Sequence, residues 1–258
     1  MHARSALFDV FGDHLRTRGH RASVAGLVRL LDPLGVQAPA VRTAVSRMVQ
    51  QGWLDPVLLP QGRGYRATEA AVARLTETHQ RVYSRTPAPW DGTWHHVLLP
   101  SPMTRSTRRA LLRELTFLGY APLAEGLWIS PRQRGGLAAT LERAGVRATT
   151  WSATDVQPVD AAVSAWDLAD LGRAYTRWLE ESRAELEGLD TRDDRAAYTA
   201  RFRLVHGWRT FLFTDPHLPA ELLPRHWAGH AAAEHFHAVA EDLRPGSDRF
   251  LAAVLAEH

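Results

Sequence analysis

Apolar residues recur at helical spacing through the first third of the chain. In the first amphipathic segment they lie three or four positions apart: Leu7, Val10, Phe11 and Leu15. Gly19 is suited to end this first helix, and Ser23 is a good N-cap for a second one. The apolar face of the second helix consists of Val24, Leu27, Val28, Leu31 and Leu34. Gly35 then predicts a tight turn into a further helix.

A third helix is predicted over residues 39–52, with a proline in its first turn and a glycine at its end. Two short extended runs follow, at 53–59 and 64–68, on either side of turn residues at 60–62. Pro56 confines the first run to the edge of a sheet, because proline cannot donate a hydrogen bond to a central ladder. This pattern predicts helices followed by a β-hairpin.

The pattern changes after a helix expected at 68–85. The proline-rich stretch TPAPWDG, residues 86–92, is the clearest linker in the chain. Beyond it, strand, helix, two short strands, helix and strand follow one another, with the first of these helices at 107–118 and the last strand at 146–151. This order is the ferredoxin-like βαββαβ pattern.

The remainder of the chain has mainly helical periodicity. We therefore expect an α+β multidomain protein whose domains occupy residues 1–86, 93–152 and 153–258. The first would be a winged helix-turn-helix, the second ferredoxin-like and the third helical.

The third helix separates its residues into two faces. One face is apolar and contains Val41, Ala44, Val45, Met48 and Val49. The other is polar and contains Arg42, Thr43, Ser46, Arg47, Gln50 and Gln51. Arginine can bridge guanine, glutamine can bridge adenine, and hydroxyls reach bases or phosphates in a major groove. Because no acidic residue occurs between Asp32 and Asp55, this face is predicted to bind DNA.

Any solvated amphipathic helix would also show a polar face, so the charge distribution is a second consideration. Residues 1–90 contain 12 arginines and 6 acidic residues, a net charge of +6, whereas residues 91–258 contain 19 arginines and 22 acidic residues, a net charge of −3. Random clustering would explain a modest excess, but its coincidence with the helices and hairpin favours attraction of a polyanion to this first third. Arg63 and Arg66, expected near the hairpin tip, would contact the DNA backbone or minor groove.

Absent residue types exclude several kinds of chemistry. The 258 residues include no cysteine, lysine or asparagine, which excludes disulfides, thiolate metal sites, a Walker A loop and a pyridoxal Schiff base. The N-terminal stretch carries acids among its apolar residues and resembles no signal peptide, and no apolar run is long enough for a membrane span. We therefore expect a cytoplasmic protein without a cofactor.

Several blocks of the sequence resemble the PaaX family of transcriptional repressors. They are SALFDVFGDHLRTRG at 5–19, VRTAVSRMVQQGWL at 41–54, WDGTWHHVLLP at 90–100, LLRELTFLGYAPLAEGLWISP at 111–131 and LVHGWRTFLFTDPHLPAELLP at 204–224. The resemblance implies a winged-helix domain, a Cas2-like middle domain and a helical C-terminal domain, residues 153–258, for effector binding and dimerisation. It also implies a repressor released from DNA by an aryl-acyl coenzyme A thioester, typically phenylacetyl-CoA. The acid that Cas2 proteins carry at the end of their first strand is missing, since residues 98–101 are Leu-Leu-Pro-Ser.

These considerations lead to a homodimeric repressor that binds a palindromic operator and is not an enzyme. Arg42, Ser46, Arg47 and Gln50 would read bases, whereas Thr43, Arg63 and Arg66 would hold phosphates. His206 and Arg209, which lie one turn apart in a family-like block, are the expected polar contacts of the effector. Trp166 and Tyr175 would supply apolar surface for it. Arg108, Arg109 and Arg113 are rival partners for its phosphates.

Two other functions remain open at this stage. His226, His230, Glu234 and His237 would share one face of a helix and could hold zinc, as in a metal-dependent hydrolase, although no HExxH motif is present. Surface histidines explain the same cluster equally well. The other possibility is an architectural DNA-binding protein that responds to no ligand.

Overall fold

The computed structural model describes residues 1–60, 62–84, 89–133, 135–190 and 192–256. The helices are α1 (Ala3–Asp9), α2 (Val24–Leu31), α3 (Ala38–Gln50), α4 (Glu69–Val82), α5 (Arg105–Phe117), α6 (Leu137–Ala144), α7 (Val159–Val163), α8 (Leu168–Leu186), α9 (Asp194–Trp208), α10 (Phe211–Thr214), α11 (Ala228–Asp242) and α12 (Arg244–Ala256). The strands are β1 (Arg21–Ser23), β2 (Leu54–Leu59), β3 (Gly62–Ala67), β4 (Trp94–Leu98), β5 (Ala121–Ala124), β6 (Leu127–Ser130) and β7 (Thr149–Ala153). A π-helical turn, Val10–His14, continues α1. Within the described ranges no helix is long and apolar enough to cross a membrane.

The chain divides into two compact units that exchange segments. The first comprises Met1–Ser84, Arg177–Thr210 and Ala231–His258, and the second comprises Arg85–Thr176 and Phe211–His230. The N-terminal helices therefore share a unit with α9 and α12, although these lie far apart in sequence. This division by contacts differs in kind from the three consecutive domains predicted from sequence, whose boundaries stay a prediction.

Local sequence signals set the helix starts in the first unit. The Ser23 hydroxyl accepts a hydrogen bond of 3.0 Å from the Gly26 amide and so caps α2, as predicted. Thr68 caps α4 in the same way, through the Ala71 amide at 3.2 Å. The sheet order is β1-β3-β2, so the strand that contains Pro56 lies at an edge, as expected. Strand β1, which pairs antiparallel with β3, was not predicted from the sequence.

One continuous core joins the N-terminal helices to the C-terminal ones. Leu27 and Met48, from α2 and α3, belong to the same buried cluster as Tyr198 and Phe202 of α9 and Leu251 of α12. Burial of each large apolar side chain contributes about 1.5–3 kcal/mol relative to exposure. The helices around α3 therefore depend on the C-terminal part of the chain for much of their apolar burial.

A buried ion pair strengthens this junction. The Arg201 guanidinium of α9 donates a hydrogen bond to the Asp13 carboxylate at 2.5 Å, and both side chains are less than a tenth exposed. Arg201 also donates to the Tyr83 hydroxyl at 2.9 Å, which in turn donates to Asp13 at 2.8 Å. Burial alone would raise the pKa of Asp13, but the hydrogen bond from His79 and the charge of Arg201 hold that pKa well below its usual range.

A second buried carboxylate lies one turn earlier in the chain. Asp9 accepts from Arg209 at 2.9 Å and contacts the His206 ring nitrogen at 2.5 Å. Arg209 also donates to the Ser5 hydroxyl at 3.0 Å. The carboxylates of Asp9 and Asp13, with their partners on or just after α9, form what we call the carboxylate clasp. The clasp attaches α9 to the N-terminal helix.

The second unit has the predicted βαββαβ order, and its sheet order is β5-β6-β4-β7 with antiparallel neighbours. Two predicted boundaries were wrong. The first helix begins at Arg105 rather than at 107, because the Thr104 hydroxyl caps it by accepting from the Thr107 amide. The last strand is Thr149–Ala153 rather than 146–151. In the predicted linker, residues 86–88 lie outside the described residues.

Replacing Arg201 by Met should lower the free energy of unfolding by about 3–5 kcal/mol, because it leaves the Asp13 carboxylate buried without its cation. A matched control is Arg203→Met on the same helix, since Arg203 forms an exposed pair with Glu185 at 3.6 Å. The control should cost no more than about 1 kcal/mol. Urea unfolding measures both, and equal losses in the two variants would contradict the importance of the clasp.

The free energy of unfolding should also fall as the pH is lowered from 6.5, the ordinary pKa of histidine, to about 4. Burial lowers the pKa of His14 to about 4, so the unfolded chain binds a proton in this window that the folded chain refuses. The loss amounts to about 3 kcal/mol at most. Asp13 does not contribute to it, because its depressed pKa keeps its stabilisation intact above an unfolded pKa of about 4. Urea unfolding of His14→Leu across this window should show a pH slope smaller by up to one proton, and an unchanged slope would refute the assignment.

Candidate nucleic-acid interface

The two faces of α3 are oriented as the sequence predicts. Val41, Ala44, Val45 and Met48 are buried in the core. The polar positions of the other face are all exposed: Arg42, Thr43, Ser46, Arg47, Gln50 and Gln51. The buried positions hold the helix against the core along its length. The polar side chains are therefore presented by a rigid helix rather than by a mobile loop.

The cations on this face are unengaged within the described part of the chain. Neither Arg42 nor Arg47 makes a hydrogen bond or an ion pair there, whereas the Thr43 hydroxyl donates to the Pro39 carbonyl at 2.9 Å. The acid that precedes α3, Asp32, accepts from Arg195 at 3.0 Å, so its charge is already compensated. An outside anion would therefore meet two available guanidinium groups and no competing carboxylate on this helix.

The β2–β3 hairpin presents its two predicted arginines at different places. Arg63 is opposite Leu58, next to the tip, and both are exposed. Arg66 is opposite Asp55, close to the base of the hairpin, so the expectation that both arginines lie near the tip was wrong for Arg66. Since neighbouring side chains alternate between faces of a strand, Arg63 and Arg66 also lie on opposite faces.

Strand β1 brings a further arginine to this surface, one that sequence reasoning missed. Arg21 is the antiparallel partner of Arg66, and both are exposed. Side chains directly opposite in such a pair have Cβ atoms about 4.5–5.5 Å apart, and like charges there are destabilising. On its other side Arg66 is in register with Asp55 of β2, which brings one negative charge next to the two positive ones. The remaining positive charge makes this a suitable place for a phosphate.

Gly64 allows this arrangement. A Cβ atom at this position would lie 2.6 Å from the Ala22 carbonyl oxygen and 2.6 Å from a methyl carbon of Leu59. Such distances are impossible for real side chains, so a larger residue would push β1 away from β3. In the sequence, the glycine at position 64 was the one sign that another strand lies close to β3. Strand β1 itself, Arg21–Ser23, is too short to show the alternation of a strand, so Arg21 could not be placed.

The four predicted effector residues divide between the two units. His206 and Arg209 belong to the first unit and both contact Asp9 in the carboxylate clasp. Trp166 and Tyr175 belong to the second unit. The ring centroids of Trp166 and Trp94 are 6.3 Å apart, and the Tyr175 hydroxyl donates a hydrogen bond to the Asp215 carboxylate at 2.5 Å. Nδ1 of His206 and two guanidinium nitrogens of Arg209 thus already have partners, and the role of these residues toward an effector stays a prediction.

The predicted metal cluster does not assemble. Among the described residues, no three histidine or acidic side chains are grouped closely enough to hold a metal ion. His226 precedes the start of α11 at Ala228, so it does not share a helix with the other three residues, and it is exposed together with His230 and Glu234. His237 packs against the Phe236 ring instead, with the ring centroids 5.2 Å apart.

Replacing Arg21 by Thr should raise the free energy of unfolding by about 0.2–1 kcal/mol, because it removes the repulsion from Arg66 across the sheet. Arg16→Thr is a suitable control, since Arg16 is also exposed but lies in a 3₁₀ turn outside the sheet. Urea unfolding at low salt measures the difference. A loss of stability in Arg21→Thr larger than in the control would show that the two arginines do not repel.

Comparisons with known proteins cover most of the chain. Three family models match successive segments: "PaaX-like protein" at residues 2–75, "PaaX protein central Cas2-like domain" at 87–162 and "PaaX-like protein C-terminal domain" at 166–253. Transcriptional repressor PaaX of Escherichia coli (strain K12) is 28% identical over 243 residues, or 89% of this chain and 77% of that protein. The solved structure of an uncharacterized Mycobacterium tuberculosis protein, Rv0674, has a TM-score of 0.67 and 27% identity, with 98% of each chain covered. The chain thus belongs to the PaaX family, and its central domain is Cas2-like.

Proposed function

We propose that this protein is a DNA-binding transcriptional repressor. The observation that carries the proposal is the exposed, acid-free face of α3 with its unengaged arginines. In this proposal α2 and α3 are the helix-turn-helix, with α3 in the major groove, and the β2–β3 hairpin is the wing. The similarity to Transcriptional repressor PaaX supports the same function.

The DNA-binding side chains fall into two groups, those that would contact bases and those that would contact phosphates. Arg42 and Arg47 can each bridge the O6 and N7 atoms of guanine, and Gln50 can bridge adenine. Ser46 would add a short hydrogen bond to a base edge. Thr43, Arg63 and Arg66 would hold backbone phosphates and fix the register of the helix on the duplex. We add Arg21 to this second group because it is paired with Arg66.

The operator would be palindromic and the protein a homodimer. Two recognition helices in successive major grooves lie about 34 Å apart. An effector that favours a dimer geometry with another spacing would release the operator, provided that it binds the two geometries with affinities several kcal/mol apart.

We propose an aryl-acyl coenzyme A thioester as the effector, bound through Trp166, Tyr175, His206 or Arg209. Phosphates and carbonyls of such a ligand need cations, and its aryl group needs aromatic surface. Because the His206 ring and the Arg209 guanidinium already contact Asp9, a ligand that replaced Asp9 as their partner would open the carboxylate clasp. Effector binding at these residues would then loosen α9 from α1, next to the helices that position α3.

A regulatory function fits the chain better than a catalytic one. The alternative of a metal-dependent hydrolase has lost its support, because the four side chains it required do not form a group. The family relationship is to a repressor rather than to an enzyme.

Replacing Arg47 by Ala should weaken operator binding by about 1–3 kcal/mol and relax the preference at one base position. Arg192→Ala is the matched control, because Arg192 is exposed and, among the described residues, pairs with Asp190 on its own loop. Selection of binding sites from a random duplex library, followed by mobility shifts, measures both quantities. Unchanged affinity and sequence preference in Arg47→Ala would contradict the proposal.

Phenylacetyl-CoA should raise the melting temperature of the protein, whereas phenylacetate and coenzyme A alone should raise it less. At a concentration of about 100 times Kd, ligand binding stabilises by about 2.7 kcal/mol. For a chain of this size that corresponds to roughly 5–10 °C, at about 2–4 °C per kcal/mol. The absence of a shift with any aryl-acyl thioester would favour an architectural DNA-binding protein without an effector.

A further inference from the structure

The outer face of α5, in the Cas2-like unit, carries an unusual concentration of positive charge. Arg105, Arg109 and Arg113 are spaced four residues apart and form one row along the helix, with Arg108 beside them. All four are exposed, and within the described residues none makes an ion pair or a hydrogen bond. We call the three arginines four residues apart the α5 arginine row.

This arrangement costs the folded protein stability rather than providing it. Like charges four residues apart on a helix are destabilising by about 0.2–0.5 kcal/mol per pair. Cations in the first turns also oppose the helix dipole, and the first turn of α5 contains no acidic residue. The only acid on the helix, Glu114, is 3.7 Å from Arg143 of α6 and so is directed to another cation.

Three other exposed arginines of the chain are compensated by a nearby acid. Arg173, Arg192 and Arg244 each pair with an acid at most three positions away, at distances of 3.2, 3.0 and 3.0 Å. Within the described residues the α5 arginine row makes no such pair, so its charge is available to an anion from outside the chain. A feature that opposes local stability without compensation points to a binding role.

The shape of the row indicates which anion fits. Residues four apart on a helix are separated by about 6 Å along its axis, so the row extends over about 12 Å. Duplex DNA offers one phosphate per about 3.4 Å of each strand, and a straight helix face can follow several of them. A small-molecule site is concave and mostly apolar, whereas this is the convex outer side of a helix whose leucines, Leu111 and Leu115, face inward.

We propose that the α5 arginine row is a second contact surface for the phosphates of duplex DNA, outside the helix-turn-helix. This inference rests on the proposed DNA-binding function and extends it to the Cas2-like unit. The contact is to the backbone alone, so it adds affinity and salt dependence but no sequence preference.

The test compares the full-length protein with the triple variant R105Q/R109Q/R113Q on a long labelled duplex of arbitrary sequence, by fluorescence anisotropy at several salt concentrations. Loss of three phosphate contacts should make the slope of log affinity against log salt shallower by about 2.7. Between about 50 and 200 mM salt, wild-type affinity should therefore fall about 40-fold more than that of the variant. The control R173Q/R192Q/R244Q removes the same net charge and should keep the wild-type slope.

Folding is checked by the melting temperature, which should be unchanged or higher in the α5 variant because repulsion along the helix is relieved. Equal slopes for wild type, α5 variant and control would overturn the inference while leaving the proposed function intact. An unchanged slope combined with loss of a thermal shift by coenzyme A would also overturn it and assign the row to a small phosphate ligand. If the wild-type protein itself does not bind duplex DNA, or if R42Q/R47Q binds as well as wild type, the proposed function fails instead.

Discussion

A buried guanidinium and a buried carboxylate connect the N-terminal and C-terminal parts of this chain. Arg201 and Asp13 are 2.5 Å apart and less than a tenth exposed, so neither can separate from the other without leaving a bare charge in the core. The Asp9 carboxylate repeats the arrangement one turn earlier with Arg209. Such pairs do not guarantee high stability, but they fix one partner for each charge. These pairs therefore fix the position of α9 on the N-terminal helix. The core against which α3 packs includes segments from both the N-terminal and the C-terminal parts of the sequence.

The chain uses arginine, its only strong cation, in two opposite ways. In the clasp, arginine is buried, paired and structural. On α3, on the hairpin and on α5, it is exposed and lacks an acidic neighbour able to satisfy it, with Asp55 beside Arg66 as a partial exception. The first use makes the fold rigid, and the second leaves positive charge directed toward solvent. A repressor needs both properties, because base reading requires a rigid helix and backbone contact requires available cations.

Sequence reasoning succeeded where the determining interactions are local. The faces of α3, the Ser23 cap and the βαββαβ order all follow from periodicity and short-range hydrogen bonds. It failed where distant residues decide. The three residues of β1 carry no pattern of their own, so Arg21 was missed and the position of Arg66 in the hairpin was misjudged. Asp9 and Asp13 did stand out as acids within an apolar stretch. Their partners, however, lie almost two hundred residues away, and a single sequence contains no signal that joins them.

These contacts imply that α9 and the helices around α3 unfold as one cooperative body. Native-state hydrogen exchange of the full-length protein measures this, because it reports the opening free energy of each segment separately. The slowest amides of α1, α3 and α9 should exchange through a common opening, with the same free energy and the same dependence on denaturant. If the amides of α1 and α3 opened at a clearly lower free energy while α9 stayed protected, the N-terminal helices would be an independent domain and cooperative unfolding with α9 would be disproved.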